Sequence, residues 1–149
     1  MPGPSDYDPI RDGYATLITI AAAPAVKLYE RETTPPMLDG GGPIESTSMR
    51  NVSVRTKDPK TLVGHGDIVA TVMYATEAYF AIAQIINTPT TISVQWPDGA
   101  IAQFDGYVDK FAPSGHSEGN LPTAVITMVV TNRHPTTGNE TVPSFTPAP

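Results

Sequence analysis

The sequence contains no cysteine. That removes disulfides, thiolate metal sites and thiol nucleophiles from consideration, and leaves packing and hydrogen bonds to hold the fold. Charge is scarce as well: Asp, Glu, Lys and Arg make up 16% of the chain, against about a quarter in an ordinary globular protein. What charge there is leans acidic, with a net −6. Nucleic-acid binding by phosphate neutralisation needs a Lys/Arg patch, so the net charge argues against that function class. Long apolar runs are missing too. The longest weakly polar stretch, Leu17 to Val26, contains Thr19 and Pro24 and falls far short of the roughly 20 residues that span a bilayer. Met1 to Pro9 has neither the basic nor the apolar region of a secretory leader, so a soluble, non-secreted chain without membrane binding is expected.

Thr, Ser, Gly and Pro take the place of the missing charge. Gly (12) and Pro (16) together form roughly a fifth of 149 residues, below the quarter to third typical of low-complexity disorder. This is the makeup of a turn-rich β protein of single-domain length. The clearest pattern lies between Thr91 and Asn132. Ile92, Val94 and Trp96 alternate with Thr91, Ser93 and Gln95, the period of a half-buried strand. A Pro97-Asp98-Gly99 turn leads into a second strand, Ala100 to Ala112, and a Gly/Ser loop from Pro113 to Asn120 leads into a third, Leu121 to Thr131. In this last strand Ala124, Ile126, Met128 and Val130 form one face. Thr123, Thr127 and Thr131 share the other with Val125 and Val129, a mixed face suited to packing on another subunit.

Upstream, Tyr14 to Ala22 and Val26 to Thr33 read as strands, and residues 1–11 as an extended arm. Residues 34–66 carry Pro35-Pro36, Gly40-Gly41-Gly42-Pro43, Asp58-Pro59 and Gly64-His65-Gly66, and only Met49 to Arg55 looks strand-like there. Segments of that length with little regular structure are usually functional. The apolar residues Met37, Leu38, Ile44, Met49, Val52 and Val54 follow no period that would bury them locally, so an inter-subunit arm is predicted. Asp67 to Tyr74 resumes strand alternation. A helix follows over Glu77 to Ile86, with Thr76 as N-cap and Glu77 at the positive end of the dipole. Its predicted core face is Tyr79, Ile82, Ala83 and Ile86, and Pro89 ends it. Residues 133–149 show no apolar period and read as a flexible tail. The expected domain is 12–132. Its fold class is mainly β: an antiparallel sandwich or partly closed barrel with one flanking helix and a long extended arm.

The order and spacing of several segments resemble the major tail tube proteins of long-tailed bacteriophages, and more distantly the tubes of contractile tails and type VI secretion. The resemblance spans roughly residues 13–132. It rests on the opening strands Tyr14 to Tyr29, the acidic Gly-rich Asp39-Gly40-Gly41-Gly42, and Glu45 to Asn51. It continues through the helix after Asp67 to Tyr74, and then Trp96-Pro97-Asp98-Gly99, Phe104-Asp105-Gly106-Tyr107-Val108, Phe111-Ala112-Pro113 and Ala124 to Asn132. The resemblance implies a structural, non-enzymatic subunit without cofactors. Such subunits form hexameric rings stacked into a tube, meet other tail proteins at the tube ends, and let DNA pass through the lumen without specific binding. It also implies assembly in the host cytoplasm and a final place in the virion tail. Asp105, Asp109 and Glu118 are then the candidate lumen-facing acids, with a bulge expected at Gly106.

Other chemistries find little support. Gly40-Gly41-Gly42 lacks the Lys-Ser/Thr of a phosphate-binding loop. His65, His116 and His134 sit in separate loops, and Asp67 beside His65 has no third ligand at a supporting spacing. Ser114-Gly115-His116 is no nucleophile elbow, and Asp105 with Asp109 suits a solvated strand face better than a glycosidase pair. The alternative function is a β-sandwich binding module for a glycan or host surface, as a tail-tip or decoration protein, with Trp96 as its sugar-stacking candidate.

Overall fold

A computed structural model describes residues 16–149; the predicted N-terminal arm (1–11) and the start of the first strand lie outside the described residues. The architecture is mainly β. Strands β1 (Leu17–Ile20), β2 (Tyr29–Thr34), β7 (Ile68–Met73), β8 (Thr90–Gln95), β9 (Ile101–Pro113) and β10 (Thr123–Val130) form one antiparallel sheet in the order β1-β8-β9-β10-β7-β2. Four short strands, β3 (Leu38–Asp39), β4 (Pro43–Glu45), β5 (Lys57–Pro59) and β6 (Gly64–His65), lie between β2 and β7, and β11 (Ser144–Thr146) closes the chain.

Alternation places one face of each long strand inside. Ile18 and Ile20 of β1, Ile68, Ala70 and Val72 of β7, Ile92 and Val94 of β8, and Ala124, Ile126 and Met128 of β10 are all buried, and Ala102, Phe104 and Val108 of β9 join them. The sheet curls round this core until its first and last strands face each other, but it does not close. Across the seam the Ile18 amide donates to Oε1 of Glu30 at 3.0 Å, so a side chain bridges where a ladder would otherwise run. The opening strands therefore do not pair with each other: β1 pairs with β8, and β2 with β7.

The Trp96–Ala100 turn forms as its sequence predicts. Gly99 adopts φ +93, and the Ala100 amide donates to Asp98 Oδ1 at 2.9 Å. Gly106 does a different job from the one expected. The extra residue in β9 is Asp109, because Lys110 pairs with Thr127 while Val108 pairs with Met128. Gly106 is instead a site of close approach, where an added Cβ would lie 2.0 Å from the carbonyl oxygen of Val129.

Helix α1 runs Thr76–Ile85 with Ala75, not Thr76, at the N-cap and no side-chain cap. Its buried residues are Ala78 and Ile82, with Ile85 packed against the core. Of the predicted face only Ile82 is buried; Tyr79, Ala83 and Ile86 are exposed. Two causes rotate the face. Ile86 has already left the helix (φ −60, ψ 136), and the sequence is so apolar all round that period alone cannot choose a side.

The C-terminal residues, expected to be loose, return to the sheet. β11 pairs with Ile101–Gln103 of β9, along the same strand edge that β10 takes further on, at Gly106–Pro113. Phe145 sets its ring edge-on to Phe104, at 6.0 Å. No helix among the described residues is long and apolar enough to cross a membrane.

Candidate functional site

Residues 38–65 form a hairpin that stands apart from the main sheet. β3 pairs with β6 and β4 with β5, each as a separate two-stranded ribbon. Its regular pairing corrects the expectation that only Met49 to Arg55 would be strand-like: that stretch is the irregular tip. The bend between β3 and β4 needs Gly41 and Gly42 at φ +81 and +82, with the Gly41 amide donating to Asp39 Oδ1 at 2.8 Å.

The tip keeps its shape through polar bonds. Thr47 Oγ1 accepts from the Thr56 amide at 2.9 Å, and Asn51 Nδ2 donates to the Val54 carbonyl at 2.9 Å. Asn51 Oδ1 accepts from the Ser48 amide at 3.1 Å, and Thr47 also donates to Glu45. With the backbone held this way, the apolar side chains point outward. Met37, Leu38, Ile44, Met49, Val52 and Val54 are all exposed, from 49% at Ile44 to 104% at Met49. None of the six finds a place in the core of its own subunit.

Charge is segregated along the same segment, a signal legible in the sequence. Arg50, Arg55, Lys57 and Lys60, four of the nine Lys and Arg, fall within residues 50–60, where Asp58 is the single acid. The tip is therefore basic within an acidic chain.

At the other end of β7 lies a second apolar surface. Tyr74 meets Tyr79 of α1 at a ring distance of 6.1 Å and His116 of the 114–122 loop at 4.7 Å, edge-on. Tyr79 in turn meets Phe80 and Phe111, each at 6.0 Å. Phe80 is 62% exposed. The Tyr74 amide, donating to the Pro122 carbonyl at 3.0 Å, ties the loop to the strand end.

The three candidate lumen acids are not brought together. Both Asp105 oxygens accept hydroxyl bonds, Oδ1 from Thr91 at 3.0 Å and Oδ2 from Thr141 at 2.7 Å. Its carbonyl takes the Thr131 amide at 2.9 Å, so Asp105 fastens the C-terminal segment to the sheet. Asp109 is half-buried at the bulge, and Glu118 is exposed in the 114–122 loop. The histidines hold structure. His65 Nδ1 meets the Asn132 side-chain Nδ2 at 3.1 Å, and Nδ1 of His134 accepts from the Thr136 and Thr137 backbone amides at 3.1 and 3.2 Å. Trp96 packs half-buried against the core, which leaves less of its face for stacking a sugar.

No family model matches the sequence, and no curated protein matches it significantly. Solved structures do match in fold. One is a chain of the virion of a native gene transfer agent particle (TM-score 0.64, 15% identity, 93% of this chain and 100% of that one). Another belongs to the tail of an empty gene transfer agent particle with C6 symmetry (TM-score 0.63, 13% identity, 93% and 100%). A third belongs to the sixfold-symmetrised baseplate of the anti-feeding prophage (TM-score 0.59, 7% identity, 98% and 97%). At such identities the likeness is one of fold, and it covers nearly the whole chain. The protein has the fold shared by these gene transfer agent and anti-feeding prophage chains.

Proposed function

We propose that this chain is a structural subunit of a phage-type tail tube, assembling through itself into stacked hexameric rings whose channel delivers the genome to the host cell. The observation that carries the reading is the arm: a hairpin stiffened by its own hydrogen bonds that, with Met37 at its entry, holds six apolar side chains out of the core. A monomer would leave that surface wet, whereas a neighbouring subunit buries it. The sixfold symmetry of two fold neighbours supports the ring. Joined subunits would also cover the free edges of β1 and β2, which otherwise invite uncontrolled pairing.

The acidity fits a conduit. DNA crossing a channel lined by fixed cations would be held at each contact, while an acidic wall repels it over distances where salt screens little. With −6 on each chain, the lumen is expected to show more Asp, Glu, Thr and Ser than Lys and Arg. Asp109 is the candidate acid, and Asp105 contributes to the extent that its hydroxyl partners leave it exposed. Other tail proteins meet the two ends, the assembled protein resides in the virion tail, and no catalysis or cofactor is involved.

Sedimentation and negative-stain microscopy of the purified protein test the reading. Rings or tubes with an axial hole are the expected result. A strict monomer at high protein concentration, or a tube whose channel is lined mainly by Lys and Arg, would overturn it.

A further inference from the structure

β7 joins two features of opposite character. The arm leaves the sheet just before Ile68, and α1 with its aromatic surface begins just after Met73. Six strand residues separate them by roughly 20 Å. The 114–122 loop lies at the α1 end, since Thr123 pairs with Met73, and the arm base lies at the other, where His65 meets Asn132. The base of the arm and the exposed aromatic surface thus sit at opposite ends of β7.

Their chemistry is complementary. The tip presents Met49, Val52 and Val54 among Arg50 and Arg55. The aromatic pole presents Phe80 and Tyr79, with Glu77 exposed on the same helix and Glu118 exposed in the loop whose His116 meets Tyr74. Glu77 and Phe80 are three residues apart on the helix, so they share its outer side, and α1 carries no base in its last turn. The β1–β2 seam is a poorer acceptor, because Lys27 and Arg31 line it together with Glu30 and Glu32.

We infer that the acidic aromatic pole built by α1 and the 114–122 loop is the receptor for the arm tip of a second copy of this chain. The contact is heterologous, head to tail, so repeating it adds subunits in one direction instead of closing a pair. The inference rests on the tube reading and supplies its missing receptor surface.

Charge reversal tests the pairing. Arg50→Glu with Arg55→Glu changes the tip, and Glu77→Lys with Glu118→Lys changes the pole; all four positions are exposed, so the fold should survive, as circular dichroism checks. Turning two attractions into repulsions should cut the fraction of protein in tubes at least about tenfold in either double variant. Combining the four substitutions should restore tubes, and an equimolar mixture of wild type with either double variant should give shorter ones. If wild-type tubes form but either folded double variant assembles as well as wild type, or the fourfold variant assembles no better than the doubles, the receptor is elsewhere and the tube reading stands. If the wild type forms no assembly at all, the tube reading itself fails.

Discussion

Gly106 offers a stringent test of the packing. A methyl group there would lie 2.0 Å from the Val129 oxygen and 3.0 Å from its carbonyl carbon, and both atoms belong to backbone in the middle of the sheet. No rotamer change can relieve that contact, so β9 and β10 would have to part locally by about 1 Å or more. Overpacking of this kind costs about 1–3 kcal/mol. The displaced strands would also weaken the neighbouring Thr131 and Asn132 amide bonds to the Asp105 carbonyl, each worth about 1 kcal/mol. Gly106→Ala should therefore lose about 3–5 kcal/mol, a large share of the roughly 5–15 kcal/mol that stabilises a domain. Urea unfolding followed through the single, half-buried Trp96 reads this directly, with an unchanged m-value and a midpoint lower by roughly 2 M. Gly115→Ala, whose added methyl meets nothing within 4 Å, is the control and should change stability by less than about 0.5 kcal/mol. A loss below about 1 kcal/mol for Gly106→Ala would refute the close approach of the two strands.

Three further outcomes are expected. Ile82→Ala should cost about 2–5 kcal/mol in the same unfolding experiment, whereas Ala83→Ser, on the exposed side of α1, should be nearly neutral; a loss above about 1 kcal/mol for Ala83→Ser as well would restore the face predicted from periodicity. Asp105→Ala removes the acceptor of both Thr91 and Thr141, so hydrogen exchange of the β11 amides should accelerate at least about tenfold while core amides of β7 and β10 stay protected. Replacing residues 46–56 by Asn-Gly between the paired Glu45 and Lys57 should preserve the thermal melt, yet tube formation should fall sharply in an electron-microscopy count.

The β8–β9–β10 meander was legible because the core faces of β8 and β10 recur at every second residue and the Pro97-Asp98-Gly99 turn has one good solution. The arm's pairing was not. β3 to β6 are two or three residues each and pair Pro with Pro and Asp with Gly, so no hydrophobic period announces them; glycine conformations and a threonine–asparagine network do the shaping. β11 was missed for a related reason, since Ser144, Phe145 and Thr146 gain a ladder only because β9 is long enough to offer a spare edge. The bulge was placed at Gly106 because glycine often marks one, whereas a glycine needed for close approach leaves the same trace in a sequence. The arm's exposed residues could be named from their lack of period. Its receptor could not, because Tyr74, Tyr79 and His116 meet only after folding.

The seam between β1 and β2 bears on how such a subunit takes load. A sheet that closes on itself has a circumference set by its ladder and can change girth only by breaking backbone bonds. Among the described residues a carboxylate from Glu30 bridges the two lips, and a rotation of that side chain releases this bond while every strand keeps its ladder partner. The subunit is thus a stiff ribbon with one elastic join. Joined into a tube as proposed, such subunits would let it bend by spreading the lips along its outer arc and drawing them together along the inner one.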